Sequence, residues 1–327
     1  MRVETYDAGK ASAWNDFVDS SKNGTFLFNR QFMDYHSQRF NDASLMFFDD
    51  HDNITGLLPA NADGSAIHSH GGLTYGGLIV GQRAVQATVD AMLLLAIECY
   101  SRRGFSILEY APTPHIYHTM PAEEDLYFLF RAGGVLSRRA VSSALCPAFH
   151  PKQRQSRRGG VVRAMKSGVV VQEVKNAGAA EMEEFHTVLT NVLRERHGVN
   201  PVHSLHEMQL LSGRFPNNIH LFVSKLHGEV MAGAWVFESL RVAHTQYLAA
   251  TEEGRRLGAE DLLIDYLISS RYADKPWFDF GISTENRGRY LNSSLIFQKE
   301  GFGARAVCYD AYTLDLRSLN KDLEDLR

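Results

Sequence analysis

Cysteine is scarce in this chain of 327 residues: Cys99, Cys146 and Cys308 stand far apart. None belongs to a Cys-x-x-Cys pair, so neither a disulfide framework nor a zinc ribbon is expected. Long apolar runs are missing as well. Ala91 to Ile97 is the longest, against the roughly 20 residues that a membrane-spanning helix needs. Nothing apolar follows Met1-Arg2-Val3-Glu4-Thr5, so no signal peptide is expected and a cytoplasmic location is the simple reading. Gly-x-Ser-x-Gly does not occur, which leaves serine-hydrolase chemistry without support. Acidic residues are absent between Asp125 and Glu173. That window holds Arg131, Arg138, Arg139, Lys152, Arg154, Arg157, Arg158, Arg163 and Lys166. It reads either as a solvated linker helix or as a site for phosphates. Aromatic residues are not interleaved with these cations, so an anionic substrate is favoured over a nucleic acid. Arg158 is the residue of this window assigned to substrate binding.

What is present has the composition of an ordinary globular protein, 44% hydrophobic and 22% charged with a net charge of -4. One supersecondary pattern occurs twice. Thr74-Tyr75-Gly76-Gly77 leads through an apolar helix to Phe105–Tyr110, and Gln246-Tyr247-Leu248-Ala249 leads through another to Trp277–Ile282. Each copy follows a hairpin-like stretch, Leu45–Phe48 with Ile54 onward and Leu221–Val223 with Val230 onward. Two copies of one unit predict two like domains. Residues 1–150 form the first, 151–168 a basic linker helix, and 169–327 the second. Each reads as mixed α/β, with antiparallel strands followed by a strand–helix–strand unit.

Local signals place the elements. Apolar spacing predicts helices over Ala11–Ser20, Val85–Arg103 and Ala179–His197, the last stopped by Gly198. A second early helix carries Phe32, Tyr35, His36 and Phe40. Ser204-Leu205-His206-Glu207 has the spacing of a capping box. Strands are expected at Leu221–Lys225, Val230–Glu238, Val242–Ala249 and Trp277–Gly281. A helix over Ala259–Tyr272 lies between the last two. The tail is read as a helix near Leu291–Lys299 and a strand around Ala306–Leu314. Arg131–Gly168 is read as the junction, and Glu253–Ala259 as a loop.

The order strand, Arg/Gly loop, apolar helix, strand with Asp resembles the acyl-carrier core of GNAT acyltransferases. Arg255-Arg256-Leu257-Gly258-Ala259-Glu260 lies where that family has Gln/Arg-x-x-Gly-x-Gly/Ala; Glu260 stands where a small residue is expected. The tandem halves add to this, together with Phe278-Asp279-Phe280-Gly281 and Gln298-Lys299-Glu300-Gly301-Phe302-Gly303. With these the chain resembles the Fem-type branch, which includes peptidoglycan bridge-forming aminoacyltransferases and GNAT-like proteins of surface-polysaccharide synthesis. The resemblance implies a bacterial enzyme that transfers an acyl or aminoacyl group to an amine. The acceptor would be an amino sugar or a nucleotide-linked cell-envelope precursor. The donor would be acetyl-CoA or another acyl-CoA, or else a charged tRNA. A degenerate, non-catalytic protein that binds a phosphorylated ligand is the rival from another class.

On that resemblance Arg255, Arg256, Gly258 and Ala259 hold the donor's phosphates, as free N–H groups at a helix start can. Acyl transfer also needs a neutral amine and a stabiliser for the tetrahedral oxyanion. The candidates are Lys299, Asp279, Tyr247 and Asn292. Lys299 would neutralise an anion, Asp279 act as base or structural acceptor, Tyr247 serve as proton donor or core, and Asn292 bind substrate or cap its helix. His70, Tyr75 and Gly76, in a glycine-rich stretch, would help to hold the acceptor. His68 and His70 form a His-x-His pair without a third ligand nearby, so no metal is expected.

Overall fold

Runs of buried residues, many of them β-branched or aromatic, make Ile219–Leu226, Glu229–Glu238 and Val242–Ala250 long strands, joined by a tight turn with His227 and Gly228 at positive φ and by a short turn at Ser239–Arg241. The computed structural model describes residues 1–69 and 71–319. Within it the chain forms two compact units: residues 1–141 with 285–290 and the chain from Cys308 onward, and residues 142–284 with 291–307.

In the first unit, Arg2–Thr5, Leu45–Phe48, Ile54–Leu58 and Ile79–Val80 form an antiparallel sheet in that order. Ile107–Tyr110 runs parallel to Ala66–His68 and antiparallel to the end of the last strand, with Tyr110 opposite Tyr312. Helix Gln86–Arg102 buries Val89, Met92, Leu93, Ala96, Ile97 and Tyr100 in this unit's core. The second early helix is broken: Arg30–Met33 is α-helical and Asp34–Arg39 tightens into a 3₁₀ turn kinked at His36.

In the second unit, Val170–Val174, Ile219–Leu226, Glu229–Glu238 and Val242–Ala250 are antiparallel neighbours. Trp277–Ile282 joins parallel to Val242–Ala250 and pairs on its other side with Ser142–Leu145. Helices Gln155–Lys166 and Ala259–Tyr266 cover one face, through Ala164, Ala259, Leu263 and Ile264. Both units are thus mixed α/β, as the sequence implied. The stretch read as a bare junction is not one. It contains the strand Val135–Leu145 as well as the basic helix Gln155–Lys166. Small residues, Ala140, Ser142, Ser143 and Ala144, are buried in that strand, which weakens its hydrophobic signal. Among the described residues no helix is long and apolar enough to cross a membrane.

Candidate active site

Strands Val242–Ala250 and Trp277–Ile282 pair in parallel only from Val242 with Trp277 to His244 with Asp279. Beyond that they part. Two local features accompany the divergence. Tyr247 lies opposite Trp235 and Thr245 opposite Val236, so Gln246 is an extra residue that bulges its strand. In the partner strand Gly281 has φ 77°, a conformation costly for any residue with a Cβ, and the pairing with Ser142–Leu145 shifts register there.

Between the diverging strands lies a cavity of about 540 Å³. Leu248, Ile264, Phe280 and Phe302 are among its apolar lining; Tyr247, Glu260, Gln298 and Lys299 are polar. Arg157, Arg196 and Arg255 also line it. A small apolar cleft with convergent polar groups is the usual form of a ligand site.

Lys299 sits on helix Ser293–Glu300 and is buried. Its Nζ donates to the carbonyls of Gly281 at 2.8 Å and Ile282 at 2.9 Å. An ammonium has three N–H bonds, so one remains after these contacts, on a side chain that lines the cavity. Burial lowers its pKa to about 8, with Asp279 acting in the opposite direction. Asp279 itself is fully buried. It accepts from Ser142 Oγ at 2.6 Å, His244 Nδ1 at 2.9 Å and the Gly281 amide at 3.1 Å. These bonds make it an anchor that ties three segments together, and it does not line the cavity.

Tyr247 lines the cavity from the other strand. Its ring stacks on Trp235 at 5.8 Å. Its hydroxyl lies 2.8 Å from His203 Nδ1 and accepts from the His203 amide at 3.3 Å. Burial raises the Tyr247 pKa, against the effect of that amide.

The expected phosphate loop is largely helical instead. Thr251 caps Glu252–Leu257, and Gly258, at φ 83°, ends that helix and begins Ala259–Tyr266. Thr251 has an ideal N-cap side chain followed by two glutamates, a start signal that the Arg/Gly reading passed over. Arg255 lines the cavity and donates to the Ala250 carbonyl at 2.5 Å. Gly258 lines it too. Arg256 is exposed and paired with Glu253 at 2.6 Å, and Ala259 is buried in the core. Glu260 is half-buried and accepts from Gln298 at 2.6 Å. Burial, then the neighbouring Asp261, raises its pKa, while Gln298 opposes this. Asp261 is paired with Arg157 at 2.7 Å.

The remaining sequence candidates lie elsewhere. Asn292 caps helix Ser293–Glu300 by accepting from the Leu295 amide at 3.1 Å and is not part of the cavity lining. Arg158 is exposed on its helix, outside the lining. Tyr75 is buried in the first unit, 4.6 Å from the Tyr117 ring and 6.0 Å from Phe28. Gly76 bridges Pro112 and donates to the Ala111 carbonyl at 2.7 Å. His70 lies outside the described residues. Among those residues no group of three or more His, Cys, Asp or Glu is placed to hold a metal ion. Sequence reasoning named Arg157 only as one cation of the basic window, and it missed His203, His244 and Arg196. Only His203 had a local signal, since it directly precedes the capping box that Ser204 and Glu207 complete.

A strand splayed from its parallel neighbour, with a helix entering below the opening, defines the class of GNAT-type acyltransferase folds. Residues 151–290 match the family described as an acetyltransferase (GNAT) domain. Among solved structures the chain is similar to FemX (TM-score 0.68, 13% identity, 99% of this chain and 100% of that one). It is similar to L-PGS from Bacillus licheniformis (TM-score 0.63, 13% identity, 96% and 93%). A tandem GNAT protein from the clavulanic acid biosynthesis pathway also matches (TM-score 0.50, 12% identity, 96% and 99%). At such identities the likeness is one of fold. No curated protein matches the sequence. Residues 151–290 are thus a GNAT acetyltransferase domain, and the chain as a whole has a GNAT-like fold similar to that of FemX.

Proposed function

We propose that the second unit transfers an acyl group from acyl-CoA to an amine. An amino sugar or a nucleotide-linked envelope precursor is the acceptor class that the Fem-type resemblance implies. The observation that carries this reading is the buried Lys299 set into the wall of the splayed-strand cavity, with two N–H bonds committed to carbonyls. Its remaining N–H suits the oxyanion of a tetrahedral intermediate. A charge that is already desolvated and held in place costs little to reorganise as the oxyanion forms. Arg196 and Arg255 supply cations for the carrier's phosphates, and the apolar lining takes the acyl arm. Asp279 is a positioning residue that holds the bent strand whose carbonyls orient Lys299.

The matched acetyltransferase domain favours CoA as the carrier. Thermal denaturation of the full chain with acetyl-CoA, and with CoA as control, tests it. A ligand that binds only the folded state raises the midpoint in proportion to occupancy. A dose-dependent rise is expected, and no rise at millimolar acetyl-CoA removes this donor.

One observation favours a second donor, an aminoacyl ester carried on tRNA. Glu260 puts a carboxylate into the cavity lining where the family loop has a small residue. A carboxylate suits the α-ammonium of an aminoacyl group and opposes a diphosphate. Salt-dependent tRNA binding, weakened for the charged tRNA alone by Glu260→Gln, supports it; equal binding of charged and uncharged tRNA argues against it. Binding of either carrier without turnover leaves the ligand-holding role.

A further inference from the structure

The transfer reaction needs a base, and none of the carboxylates in the second unit offers a free one at the cavity. Asp279 is saturated by three donors, Asp261 is paired with Arg157, and Glu260 is held by Gln298. The contact between His203 and Tyr247 is different. His203 is buried, and the turn that carries it is pinned by the reciprocal Ser204–Glu207 capping box. Its ring meets the edge of Trp235 at 5.3 Å and lies across Tyr247 at 5.7 Å. The backbone amide of His203 already donates to the Tyr247 oxygen, at 3.3 Å. The phenol is therefore the natural donor in the 2.8 Å contact with Nδ1. The same residue supplies a proton acceptor and, through its amide, a stabiliser for the phenolate that results.

We propose that His203 and Tyr247 form a proton-accepting pair, in which Tyr247 deprotonates the acceptor amine as His203 takes the phenol proton. Tyr247 would be the catalytic residue and His203 a positioning and proton-storing residue behind it. This rests on the acyl-CoA reading of the cavity. The acceptor enters as an ammonium ion. One proton passes to the Tyr247 oxygen while the phenol proton moves to His203 Nδ1. The freed lone pair forms the N–C bond to the thioester carbon. The C–S bond breaks with its electron pair on sulfur, and a second amine proton neutralises the thiolate. The imidazolium returns its proton to solvent before the next turnover.

Glu207 on helix Leu205–Arg214 is engaged in the capping box. His186 on helix Ala180–His197 has its Nε2 3.3 Å from the His203 carbonyl. Burial, and with it Glu207, raises the Tyr247 pKa, while the His203 amide lowers it; Arg196 and Lys299 line the same cavity as Tyr247.

Two measurements on the full-length chain decide the matter. The first needs no substrate. Histidine ¹⁵N NMR, with the His203 signals identified by their loss in His203→Asn, reports which ring nitrogen carries the proton. Nδ1 is expected to be unprotonated, with its resonance displaced in Tyr247→Phe. A protonated Nδ1 overturns the proposal. The second is thiol release from acetyl-CoA, with water or an added amine as acceptor. Asparagine at 203 retains a hydrogen-bonding group near the Nδ1 position but stores no proton. His203→Asn should lose about 100-fold or more in rate at an unchanged melting temperature, as removal of a general base does, and should lose the acid limb of the pH profile. A rate within threefold of wild type, with the acid limb intact, reduces His203 to a structural role and overturns the proposal. If the wild-type protein releases no thiol above background, the acyl-CoA reading fails, and the NMR result alone judges the pair.

Discussion

At Lys299 the proposed chemistry and the stability of the fold depend on one buried charge. Burial lowers its pKa from the usual 10.5 to about 8. At about 1.36 kcal/mol per pH unit, this corresponds to roughly 3 kcal/mol. Between pH 8 and 10.5 the unfolded chain binds the proton that the folded chain has lost, so this group makes stability rise with pH across that window. Lys299→Met should abolish that rise in urea unfolding series at pH 7.5, 9 and 10, while acyl transfer falls by about 100-fold or more, the loss typical of an oxyanion donor. A wild-type rate in this variant would remove Lys299 from the site. For the wild type, transfer that needs the ammonium form should decline as pH passes 8. Gly281 belongs to the same scale. At φ 77° a Cβ costs about 1–2 kcal/mol, and it would lie 3.3 Å from the His244 ring. Gly281→Ala should lose about that much stability by urea unfolding, and with it the carbonyl geometry that holds Lys299. Lys299, Tyr247 and Gly281 were all singled out from the sequence, because a motif or a repeat marked them. His203 was not, because its role depends on meeting Tyr247, 44 residues away.

Among elements, the crossing of helix Gln155–Lys166 over the start of Ala259–Tyr266 places Arg157, Gly258, Glu260 and Asp261 in the cavity wall. The approach is made at Gly160, where a Cβ would collide with the Asp261 carboxylate, and at Gly258, where it would strike the Gly160 carbonyl. Arg157, one turn earlier, then reaches Asp261. Gly160→Ala is a sharp test. Alanine is the better helix former by about 1 kcal/mol, so an isolated helix would gain from it. In the protein the overpacked crossing should instead cost about 1–3 kcal/mol, read as a lower urea midpoint. A gain in stability would show that the helices do not cross so closely. The basic, acid-free window was legible as a helix because its cations continue through Arg163 and Lys166. Its two glycines, unfavourable to any helix, make sense only when the second helix is in place.

For the molecule as a whole, the path of the chain matters more than the repeat. From Cys308 the last strand is part of the first unit, where Tyr312–Asp315 pair with Ile107–Tyr110 and Leu314 and Leu316 enter the core. Ending the chain at Val307 would strip a neighbour from Ile107–Tyr110 and remove two buried leucines, each worth about 2–5 kcal/mol in mutational series. Loss of soluble protein, or a lower melting temperature with dye-binding apolar surface, is expected. An unchanged melting curve would contradict this assignment of the tail.

Periodic apolar spacing, caps and breakers determined which segments are helices and strands, since those signals act over a few neighbouring residues. They marked the doubled strand–helix–strand pattern and, with the glycine, lysine and tyrosine motifs, the resemblance to acyltransferases. Tertiary structure alone decided that Asp279 is an anchor and that His203 meets Tyr247. Each of these rests on hydrogen bonds or packing between segments distant in sequence, and such contacts leave no period in the chain.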